Sequence, residues 1–267
     1  LAFAANWDCG VNPFMLGSYE QYRTTKDTFT AKNIFKLIIK ILIFGCLVFI
    51  FISSFIINSY RVHSAAMNPT LADGEMVLSC PLAYGTYSYL LGFRFPGFLL
   101  PKRGDIVIVK PPYFPKQSFF NELLTPFIKF FSLQQARLVR DPTGKPINEY
   151  IIKRVVGIPG DTIKVERFIV YIKPQGEDRF KSERELTGDG YKIYDEFSSS
   201  IFPKEWTPGL PFSGNVQEFM LGKDEYFLLS DNRLLFSDSR FFGPVKYDLI
   251  VSKVIFRYWP FEKFGGL

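Results

Sequence analysis

Lys153 lies where a lysine is out of place. Tyr150-Ile-Ile-Lys-Arg-Val-Val-Gly-Ile-Pro-Gly-Asp161 reads as an apolar strand running into a tight turn. Two roles fit such a lysine. On a strand edge it sends its ammonium to water. If buried, it loses hydration, and its pKa can fall from about 10.4 to roughly 5 or 6. A neutral amine can then take the proton of a hydroxyl nucleophile. The turn Val62-His-Ser-Ala-Ala-Met-Asn-Pro-Thr-Leu71 offers a hydroxyl at Ser64 and none at Ala66. A third segment, Leu229-Ser-Asp-Asn-Arg-Leu-Leu-Phe-Ser-Asp-Ser-Arg-Phe-Phe-Gly243, holds Asp231 with Arg233 and Asp238 with Arg240. A spacing of two in extended chain puts carboxylate and guanidinium on one face, where they pair. Alone, such pairs serve structure more often than catalysis.

Short runs rich in Val, Ile and Tyr and bounded by Gly and Pro must position these groups. They are Met76–Ser79, Asp105–Lys110, Tyr150–Gly157, Thr162–Val165, Ile169–Ile172, Glu225–Leu229 and Ile250–Phe256. No helical period holds for long and no internal repeat is visible, so the domain is expected to be mostly β. Two stretches interrupt it, at about 111–149 and 175–214. In the first, Phe120, Leu123, Leu124, Phe127, Ile128 and Phe131 keep a helical spacing broken by Pro126, suited to the core or to a lipid interface. The second is polar and turn-rich and reads as an inserted arm or loop.

Ahead of the strands, the 17 residues Ile41–Ile57 carry no charge, and the run extends back to Ile34 past Lys36 and Lys40. That is enough to cross a bilayer. Arg23, Lys26, Lys32, Lys36 and Lys40 precede it and only Arg61 closely follows. The positive-inside rule therefore puts residues 1–33 in the cytoplasm, a transmembrane helix at 34–58, and 59–267 outside. The run is long for a cleavable signal and lies far from the first residue, so a retained anchor is expected. No function is assigned to Leu1–Ala5.

Composition narrows the field further. In 267 residues, 47% hydrophobic content fills a sizeable core, and 30 Phe and 14 Tyr suggest either aromatic surface meeting lipid or a compositional bias. The net charge of +6 is scattered without a basic stripe, which argues against nucleic acid and suits anionic headgroups. Cys9, Cys46 and Cys80 show no paired spacing, and a single histidine, His63, excludes a metal site needing two imidazoles. Neither metal nor cofactor is expected.

Together and in this order, the segments resemble the signature boxes of bacterial type I signal peptidases. These are membrane-anchored Ser/Lys endopeptidases that remove signal peptides from exported preproteins. The boxes appear as Ser64-Ala-Ala-Met-Asn-Pro-Thr-Leu71, Arg103-Gly-Asp-Ile-Val107, Lys153–Asp161 and Ser230-Asp-Asn-Arg233 with Asp238-Ser-Arg240. The resemblance implies a membrane-anchored, β-rich catalytic domain at the bacterial inner membrane, with signal peptides and the bilayer as partners. It makes Lys153 the general base and Ala66 the nucleophile position, which is serine in the family. Ser64 and the backbone N–H of Ala66 would form the oxyanion hole. Val62, Met67, Leu71 and Ile152 would line pockets for small residues, while Tyr60–Ser64 and Tyr150–Ile152 would pair with extended substrate. Arg154, Asp231, Asp238 and Arg240 would support the lysine loop.

Three positions depart from the pattern. Ala66 has no hydroxyl. Ser230 stands where the family has glycine. Phe236 stands where the family has a serine that orients the lysine, with Ser237 next to it as a substitute. Ser64 is displaced along the chain and His63 does not align with a base, so neither replaces the missing nucleophile. Ala66 then reflects either a deliberate Ser→Ala exchange or natural drift to a non-catalytic paralogue that binds signal peptides or scaffolds a membrane complex. The survival of Lys153 and its supports favours the first, because a buried lysine is costly without a task.

Overall fold

The computed structural model describes residues 31–85, 87–88, 93–114, 127–128, 149–166, 169–188, 190–194, 215–235 and 237–267. The helical spacing read at 120–131 lies outside these residues except at Phe127 and Ile128, as do Phe236 and residues 195–214. The chain divides into a unit ending at Leu47 and a larger unit, Val48–Leu267.

Helix α1 spans Ala31–Phe51. At 1.5 Å per residue it is about 30 Å long, the thickness of a bilayer's hydrocarbon core. Its residues 32–51 form the one helix among the described residues long and apolar enough to cross a membrane. Phe35, Ile41 and Phe44 are exposed on it, as expected of a helix whose solvent is lipid.

The larger unit is mostly β and antiparallel. Its main sheet runs in the order β1 (Asn58–Arg61), β2 (Met76–Cys80), β13 (Ile250–Trp259), β5 (Ile106–Val109), β6 (Ile151–Gly157), β11 (Glu225–Leu229) and β12 (Val245–Lys246), with β14 (Gly265–Gly266) also on β13. A second sheet has the order β10 (Val216–Met220), β7 (Thr162–Glu166), β8 (Ile169–Lys173) and β9 (Lys181–Ser182), and β3 (Tyr87–Ser88) pairs with β4 (Phe93–Arg94). Among the described residues three short α-helices accompany the sheets: α2 (Pro81–Tyr84), α3 (Glu183–Thr187) and α4 (Ser239–Phe242).

The apolar runs are strands covered on both faces, where side chains alternate between two cores instead of between core and water. In β11, Tyr226 and Leu228 enter one core with Val107, Val109 and Val155, whereas Phe227 and Leu229 enter another with Val156, Ile163 and Ile172. A third core gathers Val62, Met67, Leu71, Val77, Ile106, Ile108 and Val254. The main sheet curls until Tyr60 of β1 meets Tyr150, just before β6, with ring centroids 5.6 Å apart. β1 is an edge strand, and β11 pairs with β6 only from Arg154 onward, so Ile151 and Ile152 have no strand on that side among the described residues.

Several observed elements differ from the sequence reading. β1 and β10 were not anticipated, because Asn58-Ser-Tyr-Arg and Val216-Gln-Glu-Phe-Met are short and half polar. β13 runs three residues past Phe256 to Trp259. The described part of 175–214 is not simply loop. Lys181–Ser182 joins β8, and Ser182 begins α3 with reciprocal hydrogen bonds to and from Glu185.

At the end of β6 the cores press directly on the backbone. A Cβ on Gly157 would stand 2.8 Å from Leu221 Cδ1 and 2.9 Å from both Ile163 Cδ1 and Phe227 Cβ. Gly157→Ala is therefore expected to destabilise the larger unit by about 1–3 kcal/mol through overpacking. A lower urea midpoint with an unchanged slope would show it, and an unchanged midpoint would show that the contact relaxes freely.

Candidate active site

Strand pairing makes the site before any side chain does. Leu228 and Leu229 of β11 lie opposite Val155 and Arg154 of β6. Continuing that antiparallel register by one residue places Ser230 opposite Lys153, at the cross-strand distance where side chains touch. On its other side Lys153 pairs with Val107 of β5, so it is not an edge lysine. Its side chain is 1% exposed. Nζ donates to Ser230 Oγ at 2.8 Å and to Ser237 Oγ at 3.4 Å. Burial pulls the amine's pKa down to about 8; the Asp238 carboxylate works against that fall and the Arg240 guanidinium adds to it.

The two Asp-x-Arg units do not pair in parallel fashion. Asp238 does take Arg240, which donates from Nε at 2.9 Å and Nη2 at 2.7 Å. Burial alone would raise the Asp238 carboxyl, but Arg240, Lys153 and the Ser230 N–H hold it below the usual carboxylate range. That N–H donates to Asp238 Oδ2 at 3.1 Å, which fixes the backbone of Ser230. Asp231, by contrast, pairs with Arg154, accepting from Nε at 2.7 Å and Nη2 at 2.5 Å. Arg233 turns away to Glu183, donating from Nη2 to both carboxylate oxygens at 2.6 Å.

The turn carrying Ala66 is tied to the same loop. Ser64 caps a short 3₁₀ turn, Ala65–Met67, by accepting from the Ala66 N–H at 3.4 Å. Asn232 N–H donates to Ala66 O at 2.9 Å, and its Nδ2 to Ala65 O at 3.4 Å. Thr70 Oγ1 donates to Asp231 Oδ2 at 2.6 Å and accepts from Arg154 Nη2 at 3.2 Å. The Ser64 hydroxyl and the Ala66 N–H therefore sit side by side, and Ala66 itself is buried. Val62, Met67 and Leu71 share one apolar cluster, with Ile152 packed against it. His63 is exposed beside this cluster.

The sequence reading missed the outer supports. Tyr191 lays its ring 3.9 Å from the Arg154 guanidinium carbon and donates its hydroxyl to Glu183 at 2.5 Å. Tyr194 bridges Asn232, with backbone bonds to Asp231 O at 2.9 Å and from Arg233 N–H at 2.8 Å. The segment read as an arm thus braces the loop from outside. Only its aromatic residues gave a hint, and periodicity had nothing to say about their target. The Arg103 box contributes too: Gly104 O accepts from Arg154 Nη1 at 2.7 Å, and Asp105 accepts from Lys253 Nζ at 2.6 Å. Among the described residues no group of acidic, His and Cys side chains is arranged to hold a metal.

The family described as "Signal peptidase, peptidase S26" matches residues 34–259. Signal peptidase IB of Staphylococcus aureus (strain COL) is 27% identical over 233 residues, covering 87% of this chain and 93% of the relative. Signal peptidase I of Rickettsia bellii (strain OSU 85-389) is 26% identical over 221 residues, covering 75% of this chain and 65% of the relative. A solved signal peptidase I from Enterococcus faecalis V583 covers 58% of this chain and 96% of its own, with 21% identity and a TM-score of 0.29.

The buried amine links stability to pH. Between about pH 8 and the unfolded lysine value of 10.5 the unfolded chain binds the extra proton, so stability rises with pH across that window. Below it the full penalty applies, about 3 kcal/mol at 1.36 kcal/mol per pKa unit. Lys153→Met is expected to raise the urea midpoint at pH 7 and to lose that advantage as pH climbs through 8 to 10.5. A difference independent of pH would mean that Lys153 is solvated as the folded protein stands.

Proposed function

The chain belongs to the peptidase S26 signal peptidases, and from that premise we propose a membrane-bound endopeptidase site in which Lys153 is the general base and position 66 the nucleophile position. The observation carrying this reading is the buried Lys153 amine, pulled down to about 8 and held by hydroxyls on the loop that also grips the Ala66 carbonyl. An amine of that pKa is half neutral near pH 8 and can accept a hydroxyl proton. A serine at position 66 would attack the scissile carbonyl after giving its proton to Lys153. The Ala66 N–H and the Ser64 hydroxyl would donate to the oxyanion, and the lysine ammonium would return the proton to the leaving amine. Water then resolves the ester, again through Lys153.

Two strand edges support the substrate class. β1 and the first half of β6 offer strand edges to an extended peptide, and the apolar cluster of Val62, Met67 and Leu71, with Ile152 packed against it, is the surface we propose for small side chains. Signal peptides of exported preproteins are the substrate we propose, presented to a single-pass protein whose N-terminus is cytoplasmic. The basic residues on the N-terminal side of the uncharged run 41–57 and the apolar surface of α1 support the topology. As it stands, the chain lacks the attacking oxygen. Removing the nucleophile from a hydrolytic site costs on the order of 10⁶ in turnover. That single absence favours one other reading, a natural paralogue that holds signal peptides without cutting them.

Ala66→Ser decides between the two. In detergent, the full chain with that change is expected to cleave a preprotein with a rate that rises through an apparent pKa of about 8 to an alkaline plateau, because the neutral amine is the active form. Adding Lys153→Met is expected to abolish cleavage. Peptide binding by the Ala66→Ser protein without cleavage would establish the paralogue instead.

A further inference from the structure

Ser230 is the residue in this site whose presence the proposed chemistry does not by itself require. We propose that Ser230 is the positioning residue of Lys153, its hydroxyl fixing the direction in which the amine presents its lone pair. This rests on the reading of Lys153 as the base.

Three observations converge. The β6–β11 pairing ends with Leu229 opposite Arg154, and Ser230 and Lys153 are the next residues of the two strands, so the backbone brings them side by side. The Ser230 Oγ···Nζ distance of 2.8 Å is the shorter of the two hydroxyl contacts of that amine, and Ser230 is 0% exposed, whereas Ser237, at 3.4 Å, is an exposed residue. Ser230 is itself held: its N–H binds Asp238, and the next residue, Asp231, is locked to Arg154, the neighbour of Lys153. Serine and lysine therefore each adjoin one member of the same ion pair.

Hydrogen-bond accounting supplies the function. A neutral amine has two N–H donors and one lone pair. Ser230 on the buried side and Ser237 on the exposed side accept the two donors, which leaves the lone pair pointing in a third direction. A serine at position 66 would need that direction. Burial argues against the opposite role for Ser230 itself, because a hydroxyl sealed beneath the lysine offers no path to a substrate carbonyl.

Selective labelling of lysine Cε in the full, unaltered chain in detergent reads this without any cleavage assay. One resonance is expected to titrate near pH 8 and to vanish in Lys153→Met. In Ser230→Ala the loss of an acceptor from the ammonium is expected to move that midpoint down by half a unit or more, while Ser230→Thr, which keeps the hydroxyl, returns it. An unmoved midpoint in Ser230→Ala would overturn the proposal. In the Ala66→Ser background, Ser230→Ala is expected to cut kcat at least tenfold with KM within twofold, and unchanged kcat would equally overturn it. Cleavage by the unaltered chain that disappears in Ser230→Ala would replace positioning by nucleophilic attack. If Ala66→Ser never cleaves, the base assignment fails, and the lysine titration still reports separately on Ser230.

Discussion

The ion pair of Arg154 and Asp231 is the interaction on which the rest of the site depends. Both side chains are almost wholly buried, at 5% and 0% exposure. The guanidinium reaches Gly104 O and Thr70 as well as the carboxylate, so one buried cation joins the Arg103 box, the turn after Ala66 and the loop after β11. Removing one partner of such a pair strands a charge in a medium that cannot solvate it, at a cost of about 3–5 kcal/mol. The geometry of Lys153 and Ser230 is inherited from it, since each is the chain neighbour of one partner.

Around that pair, charge is arranged in layers. Asp238 lies under Lys153 but is neutralised by Arg240, so its pull on the amine falls short of the cost of burial. Glu183 holds Arg233, whose main chain carries the loop onward. Tyr191 covers the Arg154 face that the protein backbone leaves open. Arg240 and Arg233 favour the neutral amine while Asp238 and Asp231 oppose it, so the charges around the lysine largely offset one another. Burial then decides the outcome and keeps the amine's pKa low.

Much of this was legible in the sequence, and the exceptions have physical causes. The strands β2, β5, β6 and β11 announce themselves as runs of β-branched residues between turn signals. The long apolar helix α1 is plain from its uncharged run. Lys153 could be seen to be unusual, but whether it was buried depended on β5 and β11 flanking it, and neither neighbour is near it in sequence. Ser230 was visible only as a departure from a pattern. Its role follows from strand register, a property that composition does not carry. Likewise Asp231 and Arg233 looked like partners by spacing, yet the loop bends there and sends them to Arg154 and Glu183 in different directions. Tyr191 and Glu183 lay in a stretch whose polar residues match no period.

The order of strands has a consequence in time. β13, close to the C-terminus, is inserted between β2 and β5, and so separates the strand next to the Ala66 turn from the strand next to Lys153. A growing chain therefore makes the turn, then the lysine strand, and cannot join their sheets until residues 250–259 have been added. Such contacts between distant residues form slowly and late. A nascent or truncated copy that stops before residue 250 would hold the Ala66 turn and the lysine strand without the strand that joins them.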